Sequence, residues 1–219
     1  MIGRDLEDAV PRFEKGVAEH DHGHADDGGD HGNHGPSGFL PRIRSGAVLL
    51  TAGGLDDHDL FAQALLKRAQ ALSREPKRET LILTAHGTKS DARNEHWLGV
   101  LQSIADKMRA LGGSGFRAIR VATWREDWPD KRRPWVESVR GWVEKADRDG
   151  TAIVIPARTT GTGPEAKLLA GLNYRLGSGF APDPLFARWL EEQVKAAIAG
   201  KGIEKRAVAE ASKTAAHKH

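Results

Sequence analysis

Apolar runs and amphipathic segments alternate through the middle of the chain. Short apolar runs of strand type occupy 47–52, 80–86, 116–124, 151–157 and 173–176. Segments with apolar residues at every third or fourth position occupy 56–73, 90–111, 130–147, 164–171 and 184–199. The first period is typical of strands and the second of helices. Their alternation predicts an α/β fold, a parallel doubly wound sheet with helices on both faces.

Polar residues indicate where the helices begin. Asp56 or Asp57 is the predicted N-cap of the 56–73 helix, and Ser90 or Asp91 that of the 90–111 helix. Four tryptophans lie on apolar helical faces and are predicted to pack in the core: Trp97, Trp135, Trp142 and Trp189. Trp124 and Trp128 flank the end of a strand, where either core packing or ligand stacking fits the pattern.

The pattern changes at both ends of the chain. Residues 1–17 have apolar residues at helical spacing, whereas 19–38 consist mainly of His, Asp and Gly without an apolar anchor, which is typical of a flexible loop. We therefore expect an N-terminal segment with a His-rich loop at 1–38, an α/β domain at 39–199, and a disordered Ala/Lys-rich tail at 200–219.

Composition narrows the classes of function. The net charge of +3 and pI of about 9.2 are too weakly basic to indicate a nucleic-acid partner. The absence of cysteine excludes disulfides and thiolate metal sites, so metal ligands would be His, Asp or Glu. No apolar run approaches the length of a membrane span, and a cytoplasmic protein without a membrane partner is expected.

Three chemically active residues follow predicted strands. His86, Arg125 and Arg158 come at or directly after strand ends, and ligands of parallel sheets bind at the carboxyl ends of the strands. His86 is a candidate metal ligand or proton acceptor, although capping the next helix would also explain it. Gly87 would let a flat ligand approach the backbone. The two arginines are candidates for binding carboxylates.

Two further segments carry candidate chemistry. The His-rich loop contains five candidate metal ligands, namely His20, His22, His24, His31 and His34, and this composition suits Co²⁺, Ni²⁺, Zn²⁺ or Cu²⁺. A solvated spacer is the alternative interpretation. The loop at 159–167 offers backbone N–H groups but lacks the GxxxxGK[ST] pattern, so no nucleotide cofactor is expected.

Several segments resemble the sirohydrochlorin chelatases, also called class II chelatases. The stretch "LILTAHGTKSDARNEHW" is similar to the first strand–His-Gly–helix unit of that family, and "AIVIPARTTGTGPEAKLLAGLNYRL" is similar to a later strand and its glycine loop. The segments "GLDDHDLFAQALLKRAQALS" and "APDPLFARWLEEQV" resemble helices of long, two-half members. The resemblance covers roughly residues 40–197, and this chain is similar to a second half.

The resemblance implies a chelatase-like sheet and insertion of Co²⁺, or of Fe²⁺, Ni²⁺ or Zn²⁺, into a carboxylate-fringed tetrapyrrole without ATP. It assigns metal binding and proton uptake to His86. Glu165 stands in for a second family histidine that the loop 159–165 lacks. In this hypothesis Arg125 and Arg158 bind substrate carboxylates, Gly87, Gly161 and Gly163 line the substrate site, and the His-rich loop delivers metal.

The missing histidine leaves a second hypothesis open. A degenerate chelatase scaffold would serve as a non-catalytic buffer or metallochaperone for Co, Ni or Zn, binding metal through the His-rich loop. Because residues 1–45 are too short for a complete first half, a homodimer or a partner half-domain is also expected.

Overall fold

The computed structural model describes residues 54–200, which form a four-stranded sheet with helices on both faces. The strands are β1 (Glu79–Ala85), β2 (Ala118–Thr123), β3 (Thr151–Pro156) and β4 (Tyr174–Leu176). The helices are α1 (Asp59–Leu72), α2 (Asp91–Ala110), α3 (Pro129–Asp147), α4 (Glu165–Leu168) and α5 (Pro184–Ile198), with 3-10 turns at Pro76–Arg78 and Gly113–Gly115. Each described element lies within a few residues of its predicted range.

All four strands are parallel, in the order β2-β1-β3-β4. The central strand β1 pairs on both sides, with Leu81 opposite Ile119 of β2 and Ile153 of β3. All seven residues of β1 are buried, as expected for a strand covered on both faces. The predicted α/β class with a parallel sheet is confirmed.

Alternate residues of each strand supply two separate cores. Leu81 and Leu83 of β1 pack with helices α1 and α2 on one face. Ile82 packs on the opposite face with Val139 and Val143 of α3. This two-residue period follows from the pleat of a strand. It also means that a residue just past a strand end is directed to one helical layer or the other.

The predicted cap of the first helix is wrong. His58 is the N-cap of α1, and its Nδ1 accepts a hydrogen bond from the Leu60 N–H at 3.2 Å. Asp56 has a φ of 37°, outside the extended conformation of an N-cap. Asp57 instead accepts from the Ser103 hydroxyl at 2.6 Å, which lowers the pKa of that carboxyl. At α2 the predicted Ser90 cap is confirmed.

The structure also decides two other predictions, the helix at 164–171 and the packing of the tryptophans. The helix predicted at 164–171 is only the single turn α4, because the chain leaves helical geometry at Leu169 and turns at Gly171, whose φ is 81°. The tryptophans on apolar faces pack against the cores as predicted, and Trp124 is completely buried.

Glu79 joins three elements at the amino edge of the sheet. Its carboxylate accepts hydrogen bonds from the Ser73 hydroxyl, the Arg74 N–H at 2.9 Å and the Arg175 guanidinium at 2.6 Å. Burial raises the pKa of this carboxyl, but the hydrogen bonds from Ser73, Arg74, Glu75 and Arg175 outweigh it and lower the pKa overall. Glu79 therefore ties the end of α1 and strand β4 to β1.

Several predictions lie outside the described residues. They concern the helix at 1–17, the His-rich loop, the strand at 47–52 and the tail after Gly200. Among the helices of residues 54–200, none combines the length and the apolar character needed to cross a membrane.

Candidate functional site

A cavity of about 570 Å³ opens at the carboxyl edge of the sheet, on the α1 and α2 side. His86, Gly87 and Thr88 after β1 form one part of its wall, Trp128 another, and Ala157 to Thr160 after β3 a third. The remaining lining comes from the two helices and the segment before α1: Leu55, Asp56, Phe61, Arg93, Trp97, Val100, Leu101 and Ile104. The floor is therefore apolar, while the rim carries His86, Arg93 and Arg158.

His86 stands at this rim with two carboxylates beside it. Its Nδ1 lies 2.9 Å from the Gly87 carbonyl oxygen, while its Nε2 lies 3.2 Å from Asp127 Oδ2 and 3.9 Å from Glu126 Oε2. When Nδ1 carries the ring proton and donates to Gly87, Nε2 directs a lone pair toward the carboxylates. An imidazole nitrogen beside carboxylate oxygens is a donor set for a divalent cation.

His86, Asp127 and Glu126 do not form a complete metal site by themselves. Between residues 54 and 200, no group of three or more His, Asp or Glu side chains is arranged to hold a metal ion. The His86 side chain is 41% exposed and that of Asp127 is 67% exposed, so both are accessible from the solvent. A cation at this position would therefore take its further ligands from water or from a second molecule.

The loop that carries the acids is clamped to the loop that carries His86. Arg125 is buried, and its guanidinium donates to the carbonyl oxygens of Thr88, at 2.8 Å, and Lys89, and to Asp91 Oδ1 at 2.6 Å. The backbone adds a bond from the Glu126 N–H to the His86 carbonyl at 3.2 Å. Arg125 therefore positions the site, with its guanidinium already occupied within the protein.

The backbone conformation of Arg125 and the pKa of Asp91 both reflect these hydrogen bonds. Arg125 has a φ of 51°, a left-handed conformation that is uncommon for a residue with a side chain. Hydrogen bonds from Lys131 and then Arg125 lower the pKa of Asp91. Unusual backbone geometry of this kind concentrates at functional sites.

Gly87, which the sequence suggested as a point of close approach for a flat ligand, is also a point of close packing between two loops. Its φ is 81°, and a Cβ there would lie 3.0 Å from the Arg125 nitrogen, Asn94 Oδ1 and Thr123 Cβ. The glycine is required because the strand-end loops pack closely, and it also lines the cavity. Asn94 completes the junction by accepting from the Thr88 N–H at 3.3 Å and the Thr123 hydroxyl at 3.0 Å.

Arg158 connects the cavity rim to the acids. It lines the cavity, and its Nη2 forms an ion pair with Glu126 Oε1. A Cβ at Gly163 would lie 2.5 Å from the Arg158 Cζ and 2.7 Å from Glu165 Oε2, whereas one at Gly161 would meet nothing within 4 Å in the described part of the chain. Gly163 therefore makes room for the guanidinium and the buried carboxylate, and Gly161 supplies a turn with a φ of 72°.

Glu165 does not line the cavity. It is completely buried, and its Oε1 accepts from the Thr84 hydroxyl at 2.6 Å and the Trp124 indole at 2.9 Å. Both partners belong to the face of the sheet opposite the cavity, and Glu165 Oε2 has no hydrogen-bond partner among residues 54–200. The sequence-predicted site thus brings His86, Gly87 and Arg158 to one cavity, but it does not bring Glu165 there.

The structure adds two residues that the sequence interpretation passed over. Glu126 and Asp127 follow Arg125 directly in "WREDW", at the carboxyl end of β2, and this position after a strand was the available signal. Trp128, for which core packing and ligand stacking both fitted the sequence, meets the His86 ring edge-on at 6.2 Å. The five histidines of the His-rich loop lie outside the described residues.

Comparisons with known proteins assign no family to the chain. No family model matches it, and no curated protein matches its sequence. One solved structure matches, DR2241 from Deinococcus radiodurans, described as a multi-domain protein with structural similarity to chelatases and two additional novel domains. The identity is 17% and the TM-score 0.42, over 75% of this chain and 35% of that one. The fold class therefore rests on the sheet and helices described above.

Proposed function

We propose that this protein inserts a divalent metal, Co²⁺ first among the candidates, into a sirohydrochlorin-type tetrapyrrole without ATP. The reaction would belong to cobalamin or siroheme synthesis and would make the protein a lyase of the chelatase type. One observation carries the proposal: His86 Nε2 stands beside Asp127 and Glu126 at the rim of a cavity with an apolar floor. The resemblance of the His86 segment to the sirohydrochlorin chelatases supports the same chemistry.

The reaction requires one metal to enter and two pyrrole protons to leave. In the proposal His86 Nε2 and the Asp127 carboxylate hold the incoming cation at the rim, over the open side of the cavity. Glu126 lies 3.9 Å from the same nitrogen and is a proton acceptor within reach of the site. The apolar floor suits the flat face of a macrocycle, and Arg158 at the rim suits one of its carboxylates.

The test is an absorbance assay with sirohydrochlorin and Co²⁺. We expect the parent protein to accelerate the spectral change over the spontaneous reaction, without any effect of ATP. The His86→Ala variant loses that acceleration, and Asp127→Asn reduces it, because the amide keeps the shape of the side chain but lacks the anionic oxygen that holds the cation.

Asp130→Asn is the matched control, because Asp130 is an exposed acid in the first turn of α3 and does not line the cavity. It keeps the parent rate. Equal rates for the parent, His86→Ala and Asp127→Asn would rule the proposal out.

A second function is favoured by the position of Glu165. Because that carboxylate is buried on the opposite face, it does not replace the absent family histidine at the cavity. The alternative proposal is a metal buffer or metallochaperone for Co²⁺, Ni²⁺ or Zn²⁺ that binds through the His-rich loop. It predicts tight metal binding in equilibrium dialysis that disappears on deletion of residues 19–35, together with no insertion into sirohydrochlorin.

A further inference from the structure

The apolar face of helix α5 extends beyond the part that packs against the core. Leu185, Phe186 and Trp189 pack against the core of the α1 face. Three further apolar side chains beside this packed face are exposed among the described residues: Leu190 at 44%, Val194 at 56% and Ile198 at 79%. Their spacing of four residues aligns them in one row along the helix. We call this row the α5 stripe.

Two side-chain contacts define how α5 lies against α1. Lys67 of α1 forms an ion pair with Asp183 at 3.6 Å, and His58 Nε2 at the start of α1 lies 3.7 Å from Glu192 Oε2. The partners are nine residues apart on each helix and run in opposite directions, so the helices are antiparallel. Ile198 lies six residues beyond Glu192, about 9 Å further along the axis at 1.5 Å per residue.

The end of α5 therefore extends past the start of α1, toward the edge of the sheet where the described chain begins. Leu55 and Asp56, which lead into α1, line the cavity at that same edge. The apolar run "AVLLTA" at 47–52 ends two residues before Gly54, the first described residue. Six extended residues span about 20 Å, which exceeds the 12 Å from Leu190 to Ile198.

We propose that residues 47–52 lie across the α5 stripe and cover it within the same chain. The run is apolar like the stripe. The short connection to α1 also keeps it near Val194 and Ile198, because the end of α5 extends past the start of α1. A linked segment also acts at a high effective concentration, so a small contact is sufficient. A second copy of the chain is the weaker candidate, because a stable dimer uses about 20–30 residues a side.

Hydrogen–deuterium exchange of the full-length protein tests this proposal. We expect the amides of 47–52 to exchange at least about tenfold more slowly than fully exposed amides, as for a docked segment. The variant Val194→Gln/Ile198→Gln should lose that protection while α1 and β1 stay protected. Glutamine retains a high helix propensity, so α5 should keep its conformation.

The matched control is Arg188→Gln/Lys195→Gln, two changes to the same residue type on the charged side of α5. It leaves the protection of 47–52 unchanged. Exchange at the rate of exposed amides in the parent, or protection that persists in the stripe variant, overturns the proposal. A parent dimer in light scattering that becomes a monomer only in the stripe variant assigns the stripe to a second copy. A change in amide exchange that is confined to residues 201–219 assigns it to the C-terminal tail.

Discussion

At the scale of single residues, the geometry of the candidate site depends on the residues that pack around it as well as on His86. Gly163 and Gly161 illustrate this because both have positive φ, yet only Gly163 touches the site, through Arg158. The sequence loop "TTGTG" predicts a glycine turn, and no local signal in it distinguishes the two positions. Their difference arises from side chains brought in by other strands.

Alanine at these two glycines should therefore have unequal effects. Each substitution costs about 1–2 kcal/mol for the left-handed backbone. Gly163→Ala should cost a further 1–3 kcal/mol, roughly the range for overpacking, because its Cβ would meet the Arg158 guanidinium and the buried Glu165 carboxylate. Urea denaturation of both variants measures the difference. Equal losses of stability would show that both side chains move aside at little cost.

At the scale of elements, the clamp between the loops after β1 and β2 decides the geometry of the site. Arg125 was predicted to bind a substrate carboxylate because it follows a strand. Its side chain instead returns to the carbonyl groups of Thr88 and Lys89 and to Asp91. The sequence predicts which loops share an edge, but the direction of a long side chain depends on acceptors that are 34 to 37 residues away.

Replacement of Arg125 by methionine should lower the free energy of unfolding by about 2 kcal/mol, because two partly buried backbone carbonyl groups lose a charged donor and the buried Arg125 side chain loses its partners. Lys131→Met is the matched control, since Lys131 binds the same Asp91 from an exposed position. Chemical denaturation should show only a small fraction of that loss for Lys131→Met. A comparable loss in both variants would assign the effect to Asp91 alone.

The junction at Glu79 predicts a dependence of stability on pH. The pKa of this carboxyl is lowered in the folded protein, so its contribution is complete above its ordinary value of 4.5 and is lost as pH falls through the lowered folded value. Glu79→Gln should cost about 2 kcal/mol at pH 7, and the gap to the parent should narrow below pH 4.5. Melting curves from pH 7 to pH 3 measure it.

Glu75→Gln serves as the control for that series, because Glu75 pairs with Arg78 in an exposed position of the same turn. Its melting curves should follow those of the parent at every pH. A Glu79→Gln gap that stays constant down to pH 3 would contradict the lowered pKa.

At the scale of the whole molecule, metal binding separates the two proposed functions. The pair of His86 and Asp127 exists only in the folded chain, since the two residues lie in loops that follow different strands. A His-rich loop that is flexible, as its composition predicts, binds metal alike in folded and unfolded chains. Only a cation that binds the folded state preferentially raises the melting temperature.

We expect Co²⁺ at about 100 times its Kd to raise the Tm of the parent by roughly 5–10 °C, which corresponds to about 2.7 kcal/mol. The shift should persist when residues 19–35 are deleted and disappear in His86→Ala. Calorimetry on the three proteins provides the measurement. A shift that follows the deletion and ignores His86 would favour the metal buffer.

The sequence by itself determined the strands, the helices and the parallel α/β class of the described region, because period and strand burial are local properties of the chain. It also placed His86 at the carboxyl edge, since that follows from its position directly after a strand. Only the tertiary structure decided that Glu126 and Asp127 meet His86, that Arg125 is a clamp, and that Glu165 lies on the opposite face. These contacts depend on the lateral order of strands and on long-range packing, which no local pattern encodes.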